Sequence, residues 1–242
     1  MFEYDNIKIN YKEVGSKEQD SIIFLHGWGQ NISMMEPIAK PFYDTNHVLI
    51  IDLPGFGSSE EPKRLWELSD FVEMVYSLAQ TLEMKNITIV GHSFGGKIAL
   101  LYALNHPVSK LVLLASPYKK KIKELSNKQK LLKKLKKIPG LNLLANEAKK
   151  HIGSRDYRNA TPMMRDILVH HINTDISADL NKITCSTLII WGTEDEEVPY
   201  EDGQELETII PDSGLVTYEG NSHYAYLERL DQTISILQSF LS

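Results

Sequence analysis

The chain is short of everything that would make it something other than an ordinary folded domain. It has a single cysteine, Cys185, so no internal disulfide can staple it. It lacks a basic excess: with a formal net charge of −6, the domain as a whole is a poor partner for nucleic acid. No apolar run approaches the roughly 20 residues that span a bilayer, and Met1-Phe2-Glu3-Tyr4-Asp5 has neither the basic start nor the apolar stretch of an export signal. A reducing cytoplasm is therefore the expected location. Nor is the chain poor in core-forming residues: 42% of its 242 residues are hydrophobic, enough for one large α/β core, and no second core is evident. No cluster has metal-ligand spacing, since the adjacent His170 and His171 would diverge on a helix. Neither a metal nor a cofactor is expected.

What is present is a rhythm of buried strands and helices. Residues 7–14 alternate apolar with polar, as a half-exposed strand near a sheet edge does, and Gly15 ends them. Residues 21–25, 47–51, 87–90, 110–115 and 187–191 are instead continuous apolar or β-branched runs, the pattern of strands covered on both faces, and 215–218 closes the series. A helix is expected between the second and third of these runs, with Ser69 as N-cap and Phe71, Val72, Val75, Tyr76, Ala79 and Leu82 on its apolar face. Strands alternating with helices predict a mostly parallel sheet, which carries its chemistry at the carboxyl ends of its strands.

The sharpest signal lies at one such end. After Ile87-Thr88-Ile89-Val90 the chain turns through Gly91-His92-Ser93-Phe94-Gly95 into a helix. This is the G-x-S-x-G elbow that holds a serine out on a tight strand-to-helix turn. The flanking glycines have a steric reason, since backbone approaches backbone there and leaves no room for a Cβ. At the helix start the Phe94 N–H has no partner within the helix and can donate to a developing oxyanion. Acyl transfer needs a second donor. The loop His26-Gly27-Trp28-Gly29, directly after a buried strand, can supply it as the Trp28 N–H. His26 and Asp52 read as loop-structuring residues.

Two more strand ends complete a constellation. Gly192-Thr193-Glu194-Asp195-Glu196-Glu197 follows one strand and Gly220-Asn221-Ser222-His223 follows the next. A serine nucleophile needs a base in reach, and that base needs a carboxylate to hold its tautomer. Of eight histidines, His223 alone follows the last strand. Glu194, Glu196 and Glu197 crowd Asp195 and leave the identity of the acid open.

Residues 118–180 break the rhythm and read as a helical cap inserted into a core of 1–117 and 181–242. Between Tyr118 and Lys137 stand ten lysines against one acid, Glu124. Ile122, Leu125, Leu132, Leu135 and Ile138 recur at helical spacing, which gives a basic amphipathic helix. Its basic face has three readings: a solvated surface, attraction of an anionic substrate, or weak attraction to an anionic membrane surface. Met163, Met164 and Ile167 are candidates for the roof of an acyl pocket, and His26 is a further candidate pocket residue.

In motif order the chain resembles the α/β-hydrolase superfamily over essentially its whole length. The match rests on His26-Gly27-Trp28-Gly29, Asp52-Leu53-Pro54-Gly55-Phe56-Gly57-Ser58, Gly91-His92-Ser93-Phe94-Gly95-Gly96, Gly192 to Pro199, and Gly220-Asn221-Ser222-His223. The resemblance implies an eight-stranded sheet with helices on both faces, a cap after strand six, Ser93 as nucleophile, His223 as base, Asp195 as acid, and Trp28 and Phe94 N–H as oxyanion donors. Departures are Ser186 and Leu230, where the pattern commonly has proline. Ser116 stands where some members carry the acid, which favours Asp195.

The expected activity is hydrolysis of a small carboxylic ester through an acyl-enzyme. Two alternatives remain at this level. One is carbon–carbon bond hydrolysis or lyase chemistry on an anionic substrate, of the ring-cleavage-product or menaquinone-pathway type, whose elbow likewise ends Gly-Gly-basic as Gly95-Gly96-Lys97 does. The other is a slow-turnover ligand-binding module. Epoxide hydrolases and haloalkane dehalogenases, which carry Asp where Ser93 stands, are disfavoured.

Overall fold

A computed structural model describes residues 1–120 and 155–242. The predicted basic helix through Ile122, Leu125, Leu132, Leu135 and Ile138 lies outside them.

Strand β4 (Ser21–Leu25) shows why the apolar runs are continuous. Ile22 and Phe24 enter one core cluster while Ile23 and Leu25 enter another on the opposite face, because side chains alternate along a strand. The same alternation holds in β5 (His47–Ile51), in β6 (Thr88–His92), in β7 (Lys110–Leu114) and in β8 (Ser186–Gly192). These five are parallel, β9 (Ser213–Tyr218) extends them at one edge, and β3 (Tyr11–Val14) joins antiparallel at the other. The order is β3-β5-β4-β6-β7-β8-β9.

One face is covered by α1 (Ile32–Ala39), through Met35 and Ile38, and by α8 (Leu230–Leu241), through Leu237. The other is covered by α2 (Leu68–Thr81) and α3 (Phe94–Asn105). α3 is buried nearly all round, from Phe94 through Leu100, so it carries no amphipathic stripe. Between β7 and β8 the described helices are α4 (Arg155–Asn159), α5 (Pro162–Asn173) and a 3-10 turn (Ser177–Lys182); Met164 and Ile167 of α5 pack into the core cluster of the α2–α3 face. Helix α6 (Tyr200–Ile209) follows β8, and the short α7 (Ala225–Glu228) precedes α8. Among the described residues, no helix is long and apolar enough to cross a membrane.

Among the described residues the sheet has seven strands where eight were expected. The run 7–14 is two strands, because β2 (Ile7–Ile9) pairs only with β1 (Phe2–Tyr4) in a separate hairpin. The break falls at Asn10, whose N–H donates to Ser59 Oγ at 2.8 Å and whose amide donates to Asp52 Oδ2 at 2.8 Å. A contact 42 residues distant thus decides a local strand boundary. Likewise α2 starts before Ser69: Glu67 occupies the N-cap, its N–H donating to Asp70 Oδ2 at 2.7 Å.

The β6–α3 turn is the tightest junction. A Cβ on Gly95 would stand 2.3 Å from the Leu25 carbonyl oxygen, and one on Gly96 would stand 1.8 Å from Ser116 Oγ. The first obstacle is backbone and the second is a side chain. Gly95→Ala should therefore destabilise the protein by roughly 1–3 kcal/mol, lowering Tm by about 2–4 °C per kcal/mol. Gly96→Ala should cost a similar amount that Ser116→Gly largely restores, whereas Gly95→Ala gains nothing from Ser116→Gly. Thermal melts of the four variants check this.

Candidate active site

Ser93 sits at φ 51° and ψ −114°, a left-handed conformation that a non-glycine residue holds only where its surroundings impose it. They do so here. Its N–H donates to the Leu114 carbonyl at 2.9 Å, its carbonyl accepts from Lys97 N at 3.0 Å, and Gly91 packs against Gly95 and Gly96 beneath it. The side chain is half-buried, and its hydroxyl makes no hydrogen bond among the described residues.

Two loops away, Asp195 and His223 are joined: His223 Nδ1 lies 2.7 Å from Asp195 Oδ2. The Asp195 side chain is fully buried and that of His223 is 5% exposed. Asp195 Oδ1 accepts the N–H groups of Glu197 at 2.8 Å and Val198 at 2.9 Å, so the carboxylate is anchored by its own loop. With Nδ1–H donating to that carboxylate, Nε2 is left with a lone pair for a proton acceptor's role. The crowding acids do not compete for Nδ1. Glu194 and Glu196 are exposed, and Glu197 reaches only the other nitrogen, Nε2, at 4.0 Å. The base-bearing loop is pinned by Glu228, whose carboxylate accepts from Ser222 N at 2.9 Å and Asn221 Nδ2 at 2.8 Å. Beside His223 opens a cleft of about 520 Å³ with Glu194, Glu196, Glu197 and Glu228 on its rim.

The loop after β4 lies against the elbow. Trp28 packs edge-on to Phe94, ring centroids 5.3 Å apart, and to Phe56 at 4.8 Å. The Phe94 N–H opens α3 and has no acceptor within the helix; the Trp28 N–H likewise has no acceptor among the described residues. Asp52 accepts from Ile32 N, Ser58 N and Asn10 Nδ2, each at 2.8 Å, and so ties three segments together without facing the cleft.

The expected pocket residues fare differently. His26 is no pocket residue, because it is fully buried with Nδ1 donating to the Gly27 carbonyl at 2.7 Å and Nε2 accepting from Leu53 N at 2.9 Å. Burial pushes its pKa down to about 4, which keeps it neutral. Met164 and Ile167 are buried in the core cluster, Met164 seated against Gly55, and Met163 packs beside them half-buried. None of the four lines the cleft beside His223, and neither do Ser93, Trp28 or Phe94. A methionine-rich helix face signals packing, and only its depth in the fold tells roof from core.

Three residues have structural roles that the sequence reading did not assign them. His92 is buried with Nδ1 3.2 Å from Gln30 Oε1 and Nε2 3.1 Å from the His223 carbonyl oxygen, and Gln30 Oε1 also accepts from Gly27 N at 2.9 Å. It therefore links the loop after β4 to the loop bearing His223. Lys97 is 1% exposed; its ammonium donates to the carbonyls of His171 at 3.0 Å and Thr174 at 2.5 Å, fastening the end of α5 to the elbow helix. His171 is the third, stacked on Trp28 at 6.2 Å with an interplanar angle of 6°. A lysine inside an otherwise apolar helix was the one available signal.

Compared with known proteins, residues 20–139 match the family model for the alpha/beta hydrolase fold. The chain is 25% identical over 248 residues to a pimeloyl-[acyl-carrier protein] methyl ester esterase of Aliivibrio salmonicida, covering 93% of each chain. It is also 25% identical over 270 residues to 2-hydroxy-6-oxononadienedioate/2-hydroxy-6-oxononatrienedioate hydrolase 1 of Pseudomonas putida, covering 98% of this chain and 93% of the other. Among solved structures, an esterase from Exiguobacterium antarcticum superposes with a TM-score of 0.77 at 24% identity, covering 98% of this chain and 96% of that one.

Burial outweighs the attraction of Asp175 and lowers the Lys97 pKa from 10.5 to about 8. Between those pH values the unfolded chain binds a proton that the folded one does not, so stability rises with pH across that window. Relative to Lys97→Met, the wild-type protein should gain stability from pH 8 to 10.5, by about 3 kcal/mol at most, and show no relative slope below pH 7. Urea denaturation of both proteins across the range measures this.

Proposed function

The chain belongs to the α/β-hydrolase superfamily, and from that premise we propose that it is a serine hydrolase of carboxylic esters. Ser93 Oγ attacks the ester carbonyl while His223 Nε2 takes its proton, and the oxyanion is received by the N–H groups of Trp28 and Phe94. His223 then gives the proton to the departing alkoxide, which leaves as the alcohol. Water, deprotonated by the same imidazole, attacks the acyl-enzyme; collapse releases the carboxylic acid and returns the proton to Ser93. Asp195 keeps the Nδ1–H in place and stabilises the imidazolium without taking the proton.

The observation that carries this reading is the 2.7 Å hydrogen bond from His223 Nδ1 to an Asp195 carboxylate already anchored by two main-chain N–H groups. It prepares Nε2 as a base at the same end of the sheet as a serine held in a strained turn. Such strain is kept where the surroundings over-determine it, and it clusters at functional sites. The open Ser93 hydroxyl does not count against this, because catalytic hydrogen bonds are often long without substrate and tighten with it. We read the segment between β7 and β8 as a cap over this site and expect a cytoplasmic protein.

Carbon–carbon cleavage of an anionic substrate draws less support. The cation of the elbow, Lys97, is spent on the carbonyls of α5, and four carboxylates rim the cleft beside His223.

Wild-type protein should react with a fluorophosphonate probe and Ser93→Ala should not. Asp195→Asn should keep the fold but lose roughly 10³–10⁴ in kcat on p-nitrophenyl esters, and Phe94→Ala should move the preferred acyl length while preserving turnover. A folded wild-type protein that stays unlabelled would leave a ligand-binding module in place of an esterase.

A further inference from the structure

The buried histidines differ in what their ring nitrogens meet. His26 and His92 each have both nitrogens within hydrogen-bond distance of a partner, His223 has Nδ1 on Asp195, and His47 has Nε2 2.9 Å from Glu13 Oε1 although its Nδ1 is unpartnered. His171 is 8% exposed and has neither nitrogen hydrogen-bonded among the described residues; its Nδ1 is completely buried and unpartnered. A buried polar group left in that state costs free energy that an apolar side chain of similar size would not. Phe or Leu would fill this position at no such cost.

Its place in the fold gives the unpaired ring a use. The imidazole lies flat against Trp28 and edge-on to Phe94, ring centroids 4.4 Å apart at 62°. Those are the two residues whose main-chain N–H groups are the proposed oxyanion donors. Lys97 fixes the ring from behind by holding the carbonyl of His171 itself. Burial and the neighbouring Lys97 charge keep the imidazole neutral, so it offers one donor and one acceptor. In the proposed mechanism the leaving group lies toward His223, which delivers its proton, and we assign the acyl group to the other side, that of Trp28, Phe94 and His171.

We infer that His171 is a specificity-determining residue that hydrogen-bonds a hydroxyl or oxo group on the acyl portion of the substrate. The preferred substrates are then short esters oxygenated near the scissile carbonyl rather than plain alkyl esters. This rests on the assignment of Ser93 and of the Trp28 and Phe94 donors made above.

The test is a ratio of ratios, in which the intrinsic reactivity of each ester cancels. Hydrolysis of methyl butanoate, methyl 3-hydroxybutanoate and methyl 3-oxobutanoate is followed by titration of released acid for the wild type, His171→Phe and His171→Asn. The preference for an oxygenated ester, taken as kcat/KM relative to methyl butanoate, should fall by about five- to tenfold in His171→Phe and be partly restored in His171→Asn. Ratios equal within twofold in all three proteins would overturn the proposal. Should His171→Phe melt well below the wild type, His171→Leu takes its place with the same readout. If Ser93 proves unreactive and no ester turns over, the esterase reading fails by itself. Calorimetric binding of the same three esters to Ser93→Ala, with and without His171→Phe, then decides the role of His171: a preference lost with the imidazole upholds it, and equal affinities refute it.

Discussion

The close approach of α3 to the end of β4 is the constraint from which the rest of the site follows. Gly95 lies so near the carbonyls of Leu25 and His26 that no side chain fits between them, and this contact sets three positions at once. It drives the chain through a left-handed turn at Ser93, it brings the first N–H groups of α3 level with the loop after β4, and it holds Trp28 against Phe94. None of these needs its own device once the backbones touch. The backbone part of the arrangement has no rotamers to relax into, and the Trp28–Phe94 ring contact packs against it.

A second layer ties the mobile parts of such a site, its loops, to that rigid corner. His92 stands between Gln30 Oε1 and the His223 carbonyl oxygen, two acceptors for an imidazole that burial keeps neutral and that therefore has one N–H to share. His26 and Asp52 perform the same service for the loops after β4 and β5, each meeting several main-chain groups from inside. The buried polar residues around the site are thus mostly joints, and their hydrogen bonds go to backbone. His223 and Asp195 differ in pairing a buried imidazole with a buried carboxylate.

What could be read from the sequence was what local chemistry decides. Continuous apolar runs marked doubly covered strands because alternation puts every residue of β4 or β5 into one core or the other. The elbow was legible because a glycine two residues from a serine answers a steric demand within the same turn. The order of Ser93, Asp195 and His223 was legible because each follows its own strand. Contacts made across the fold left no such trace. Asn10 divides a strand through Asp52, and the Asp195 loop decides by its own N–H groups which of four crowded acids turns inward. Lys97 stood out only as the basic residue after Gly95-Gly96; its partners are carbonyls at the end of α5, some 75 residues away. Met163, Met164 and Ile167 carried a pattern that core and pocket share.

The charges at the cleft bear on direction as well as recognition. Ester hydrolysis turns a neutral substrate into an alcohol and an acid that ionises near neutral pH, so product and substrate differ by one negative charge. Glu194, Glu196, Glu197 and Glu228 border the cleft beside His223; being exposed, they act through water, where two unit charges 4 Å apart interact by about 1 kcal/mol. If the substrate is an ester as proposed, several such contacts would leave it untouched and repel its carboxylate product. A fixed anion as substrate would meet the same field on the way in. On the proposed ester reading such a rim would favour entry of an uncharged substrate and exit of its charged product, and it leaves specific polar recognition to residues outside the cleft lining.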